Sequence, residues 1–209
     1  MDETLGLLSE AGAEATAVAT DLSRKGAPAA LMAAALDWKG GIDVLVNNAG
    51  IIRRADALDF TEEDWDAVMD VNLKAAFFLS QAAARAMLAA GTGGKIINVA
   101  SMLSFQGGIR VASYTASKSG LAGLTRLLAC EWAAKGIIVN AIAPGYFVTN
   151  NTEAIRADPV REAQILARIP AGHWGDPSDL GGAAVFLASD MSRYVHGVVL
   201  PVDGGWLAR

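Results

Sequence analysis

Residues 94–118 read GKIINVASMLSFQGGIRVASYTASK. The stretch opens on an apolar, β-branched run, passes through a loop with paired glycines at 107 and 108, and ends inside a helical pattern. A continuous apolar run between turn signals marks a strand buried on both faces. A strand at 95–101 followed by a helix at 114–134 is most of a βαβ unit, which points to a parallel sheet. Tyr114 and Lys118 stand four apart, so on a helix they share a face. A phenol keeps its proton to about pH 10, and a neighbouring ammonium favours the phenolate, which suits acid–base chemistry. Ser101 ends the strand, where open α/β sheets bind ligands. The Tyr-x-x-x-Lys spacing also arises by chance in amphipathic helices, so its meaning depends on the rest of the chain.

The same pattern recurs on either side. IDVLV at 42–46 predicts another buried strand, and it runs into NNAG, Asn47–Gly50, a polar turn whose glycine permits close backbone approach. IIVNAIAP at 137–144 predicts a third strand, broken at Pro144-Gly145 in PGYFVT, Pro144–Thr149. EATAVATDL shows β-branched alternation and predicts a strand at about 14–20, with Asp21 and Leu22 at its end. From position alone, Asp21 is as well read as a turn or cap residue as a ligand contact. VHGVVLPV holds the last strand. Helices are predicted at 3–11, 26–38, 62–90, 114–134 and 177–189, with Thr61 and Asp64 as a capping box and Ser178 as the last N-cap. Asn72 falls inside the long helix, where its side chain competes for the backbone; it is either an interior amide bonded to a carbonyl or a functional group. The expected fold class is α/β, one domain with a doubly wound parallel sheet.

Together the Tyr114/Lys118 pair, the Ser101 spacing, NNAG and PGYFVT resemble the short-chain dehydrogenase/reductase family over nearly the whole chain. The resemblance implies a Rossmann-like sheet and NAD(P)-dependent hydride transfer between an alcohol and a ketone. It implies four catalytic residues: Tyr114 exchanges the proton, Lys118 lowers the tyrosine's pKa and bonds the nicotinamide ribose, Ser101 holds the substrate oxygen, and Asn72 holds a water in a proton relay. It implies cofactor contacts from Asp21, Leu22, Asn48, Ala49, Gly50, Pro144, Gly145 and Thr149 beside Tyr114 and Lys118. Substrate is expected to meet Ser101, Gln106, Arg110, Tyr114 and Tyr146 under a mobile lid at 150–172. IIRRADAL, IAPGYFVTNNT, IRADPVR and VDGGWLAR go further. They resemble a branch acting on deoxy sugar acids of the 2-dehydro-3-deoxy-D-gluconate and 2-deoxy-D-gluconate type, from uronate or pectin breakdown. That branch implies NAD, with NADP as the alternative, and a carboxylate on the substrate. Arg110 or Arg54 is the expected partner of that carboxylate. The family also implies a homotetramer or homodimer through the long helices.

Bulk composition narrows the field. The 209 residues are 53% hydrophobic, which excludes a disordered chain, yet charges or turn residues interrupt every apolar run before it reaches membrane-spanning length. The net charge of −5 argues against nucleic-acid binding. Cys130 is single and sits in an apolar run, so a buried packing thiol is expected. His173 and His196 have no metal-ligand spacing, and no metal is expected. The acidic start predicts a cytoplasmic protein with no secretory signal.

The family opens on a strand, a Thr-Gly-x-x-x-Gly-x-Gly turn and a helix that hold the cofactor pyrophosphate. No such turn occurs in this sequence. By the resemblance, Met1 falls after the second strand. IDVLV is then expected to form an exposed apolar edge. The strand at 14–20 is expected to lose its partner, collapse onto that edge, or be completed by another chain, and NAD binding is expected to be poor or absent. Three functions stay open: a sugar-acid dehydrogenase, a reductase of another sugar or a 3-oxoacyl thioester, and a catalytically silent subunit.

Overall fold

A computed structural model of the chain describes residues 2–209. Four parallel strands form one sheet in the order β1-β2-β3-β4: Val44–Asn47, Gly94–Val99, Ile137–Pro144 and Val199–Val202. The helices of eight or more residues are α1 (Asp2–Glu10), α2 (Ala27–Lys39), α3 (Glu62–Met69), α4 (Ala76–Ala90), α5 (Ala112–Trp132), α7 (Pro159–Leu166) and α8 (Gly181–Ala188); α6 (Glu153–Arg156) is one turn. Alternation along β2 explains the layering. Ile96 packs with α2, α4 and α5 through Met32, Met87 and Leu128, while Ile97 points to the other face, against Ile142 and Leu187. Burying each such side chain contributes about 2–3 kcal/mol.

Polar side chains fix how the strands meet the helices. Asn47 donates to Asn98 Oδ1 at 2.8 Å and to Ser80 Oγ at 2.9 Å, and Asn98 donates to Thr125 Oγ1 at 2.9 Å. β1, β2, α4 and α5 are thereby tied in one buried chain of hydrogen bonds, each worth more for being shielded from water.

Five sequence expectations change. Residues 13–20 belong to no strand: a ladder needs a partner, and the segment has none among the described residues. It is held instead by an ion pair from Lys39 to Glu14. The long helix is not uniform, because Asp70–Ala75 forms a π turn between α3 and α4. Thr61 caps α3 by accepting from the Asp64 N–H, but the Asp64 carboxylate turns away to pair with Arg53 at 3.2 Å. Asp176, not Ser178, caps the turn before α8, accepting from the Ser178 N–H at 2.9 Å. Cys130 is exposed, since the face α5 buries is set by Leu121, Thr125 and Leu128. No helix among the described residues is long and apolar enough to cross a membrane.

Candidate active site

The carboxyl ends of β1, β2 and β3 open onto one edge of the sheet. Ser101 follows β2 in extended conformation and caps a short 3-10 turn, Met102–Ser104, accepting from the Leu103 N–H at 3.2 Å. The loop then returns to α5, whose first two turns carry Tyr114 and Lys118 on one face. The Lys118 Nζ lies 5.6 Å from the Tyr114 ring centroid and donates to Val99 O at 2.6 Å. Lys118 is 4% exposed. Burial lowers its pKa from 10.5 to about 8. A buried ammonium facing a neutral carbonyl is costly, and such groups concentrate at functional sites.

The Tyr114 phenol differs from expectation. Burial pushes it above its ordinary value, while the Ser101 hydroxyl and the charge of Arg54 pull it back. Tyr114 therefore holds its proton at neutral pH.

Asn72 sits in the π turn, 1% exposed. Its Oδ1 accepts from the Ile51 N–H at 2.8 Å, and its Nδ2 donates to Ile51 O at 2.9 Å and Ser117 Oγ at 3.3 Å. The amide clamps the loop after β1 to α5, and a π turn at such a point is common in functional sites. A methyl group placed on Gly50 would lie 3.4 Å from Asn72 Oδ1 and 3.7 Å from Lys118 Nζ, so both polar groups converge on the space beside Gly50.

A cavity of about 430 Å³ lies above Ser101 and Tyr114. Gln106, Gly145 and Tyr146 line it, as do Arg54, Arg161, Arg168 and Trp206. Arg110 does not line it. It precedes α5 in left-handed conformation, φ 63°, and pairs with Asp56 at 3.3 Å. Arg161, in α7, and Arg168, just past its end, are not among the substrate residues the sequence predicts. Among the described residues no Asp or Glu lines this cavity, in a chain with 22 acidic and 17 basic residues. Glycine at 145 is required by packing, because a Cβ there would lie 2.6 Å from the Asp203 backbone.

The remaining predicted cofactor residues lie apart. Leu22, Asn48 and Ala49 line a groove of about 250 Å³ beside β1. Asp21 is exposed and accepts from the Ser23 N–H and Oγ–H at 3.1 and 2.7 Å, the turn role the sequence left open. Pro144 ends β3 half-buried, and Thr149 is exposed at the start of the 3-10 turn Asn150–Thr152. Among the described residues no cluster of His, Cys, Asp and Glu has the form of a metal site.

A parallel sheet with a serine, a tyrosine and a buried lysine at its carboxyl edge defines a class. A family model described as enoyl-(acyl carrier protein) reductase matches residues 2–207, and the chain belongs to the short-chain dehydrogenase/reductase family of NAD(P)-dependent oxidoreductases. Within that family it is 61% identical over 208 residues to the 2-dehydro-3-deoxy-D-gluconate 5-dehydrogenase of Escherichia coli K12, covering 99% of this chain and 82% of the relative. A crystal structure from Agrobacterium tumefaciens with bound NADP superposes with a TM-score of 0.93 at 62% identity, over 100% of this chain and 82% of that one. A gluconate 5-dehydrogenase from Burkholderia cenocepacia in complex with NADP and tartrate superposes with a TM-score of 0.94 at 39% identity, over 99% and 81%.

Proposed function

We propose that this chain interconverts a ketone and a secondary alcohol on a deoxy sugar acid, with Tyr114 as the proton-transfer group. The observation that carries the reading is the cavity, with Ser101 and Tyr114 at one end, three arginines on its walls and no carboxylate. Such a wall selects an anion by charge-assisted hydrogen bonds. The Escherichia coli relative named for a deoxy sugar acid supports the same substrate class. A 3-oxoacyl thioester fits less well, since its long apolar arm finds no use for three guanidinium groups. A silent subunit fits less well too, because a buried lysine costs stability and a purely structural role repays none of it.

The residues present fit the nicotinamide-ribose end of the cofactor. Lys118 has one hydrogen-bond partner among the described residues, Val99 O, and so has donors to spare for ribose hydroxyls. Asn72 Oδ1 and Lys118 Nζ both face the position beside Gly50. The chemistry the nucleotide supplies when bound is acceptance or donation of a hydride at the carbon that bears the reacting oxygen. In reduction, Ser101 donates to that oxygen and Tyr114 gives it a proton, which suits a phenol protonated at neutral pH. In oxidation the phenolate takes the proton, and the charge of Arg54 favours that state. Asn72 holds the loop and α5 so that a water beside Lys118 can pass the proton outward. The branch resemblance favours NAD and two solved relatives hold NADP, so both belong in the assay.

Exposed apolar residues on the long helices, Trp65, Phe78 and Leu127, are the surfaces we assign to self-association; a monomer by light scattering would count against that. The function itself is tested by following NADH and NADPH oxidation with 2-dehydro-3-deoxy-D-gluconate type keto acids, matched neutral ketoses and a 3-oxoacyl thioester. The keto acid is expected to give the highest kcat/KM. A neutral ketose or the thioester in that place refutes the reading.

A further inference from the structure

The three arginines of the cavity are not equivalent. Arg54 donates to Asn151 O at 3.2 Å and its charge reaches the Tyr114 phenol, so it belongs to the reacting end. The contact of Arg161 is with Gln164 on its own helix, at 3.4 Å. Arg168 is held by parts of the chain far from it in sequence. Its guanidinium carbon lies 4.0 Å from the Trp206 ring centroid, and its Nη2 donates to Gln106 Oε1 at 3.4 Å. The same Oε1 accepts the Trp206 indole N–H at 3.2 Å. Arg209 donates to Ala167 O at 2.7 Å and to Arg168 O at 3.2 Å, which fixes the backbone carrying Arg168. Stacked on an indole and bonded to a neutral amide, Arg168 is positioned without being neutralised, and it forms no ion pair among the described residues. That is the state a carboxylate receptor needs, with the geometry set in advance and the charge unspent.

We propose that Arg168 is the residue that selects a carboxylate-bearing substrate, and that the C-terminal Trp206–Arg209 segment is its positioning device. The assignment rests on the sugar-acid reading above, and it names which cation reads the acid.

The test is calorimetric titration of the 209-residue chain, in excess NADPH, with D-gluconate and with neutral D-glucitol. Wild type is expected to prefer gluconate. Arg168→Ala weakens gluconate by about 10- to 100-fold and leaves glucitol unchanged. Arg168→Lys, which keeps the charge but loses the planar fork, falls between. Arg209→Ala weakens gluconate several-fold, again without touching glucitol. Equal loss of both ligands in Arg168→Ala marks a structural role and overturns the proposal. Selectivity that survives in Arg168→Ala and disappears in Arg161→Ala or Arg54→Ala overturns the assignment but leaves the sugar-acid reading standing. A wild type that does not prefer gluconate overturns both.

Discussion

The two sides of the sheet follow the same sequence grammar and reach opposite outcomes. β2 and β3 are paired on both sides, and Ile96, Ile97 and Val139 are at most 1% exposed. β1 is paired on one side only, and its Val44 and Val46 are 39% and 50% exposed. Residues 13–20 form no ladder among the described residues. β-branched alternation states a capacity to form a strand; a neighbour's free backbone decides whether one forms. The same division runs through the function. Ser101, Tyr114, Lys118 and the arginine-walled cavity stand on the paired side, while Leu22, Asn48 and Ala49 line the open groove. Under the proposed function, the reacting end sits beside the paired strands and the far end of a dinucleotide beside the open edge.

The strongest probe of the paired side is Lys118→Met, for which we expect turnover to fall by about 10²- to 10⁴-fold. Stability is expected to move the other way. Burial lowers the lysine's pKa from 10.5 unfolded to about 8 folded. Between those values the unfolded chain binds more protons, so wild-type stability rises with pH across that window and the full cost is present below it. The variant escapes a cost of at most about 3 kcal/mol at pH 7, and melting curves should show its advantage shrinking towards pH 10.5. An advantage that grows with pH refutes the assignment.

Next in size is the pair Ile97→Ala and Val46→Ala, compared by denaturant titration. The first should cost about 2–5 kcal/mol and the second under about 1 kcal/mol. Similar losses would mean that the β1 edge is covered in solution and that the two sides do not differ as described. Smallest in its effect on the fold is Gly50→Ala. Its methyl group meets only ordinary contacts, so stability should stay within about 0.5 kcal/mol while nucleotide affinity drops. Unchanged affinity would remove the space between Asn72 and Lys118 from the cofactor site.

What the sequence discloses follows the same line. The runs at 94–99 and 137–144 are legible because they are long, apolar and bounded by glycine or proline, leaving no other way to bury them. Tyr114, Lys118 and Ser101 are legible because helix spacing puts the first two on one face, the strand end places the third, and NNAG and PGYFVT supply the resemblance that gives the pattern its meaning. The segment at 14–20 misleads because its fate depends on a partner, which no local pattern contains. The π turn at Asp70–Ala75 is hidden, since one widened turn does not disturb a 3.6-residue period, although the misplaced asparagine hints at it. Arg110 misleads through a single left-handed residue, and Arg168 is invisible until the C-terminus folds back over it.

The most direct measurement is the rate of keto-acid reduction by the 209-residue chain and by Tyr114→Phe, over a range of NADH and NADPH that reaches millimolar concentrations. The account predicts turnover by wild type that keeps rising at high nucleotide, because the open side holds the dinucleotide weakly. It predicts a loss of about 10²- to 10⁴-fold in the variant, with nucleotide binding retained. Equal rates in the two proteins, or no turnover by wild type at any nucleotide concentration, would contradict it.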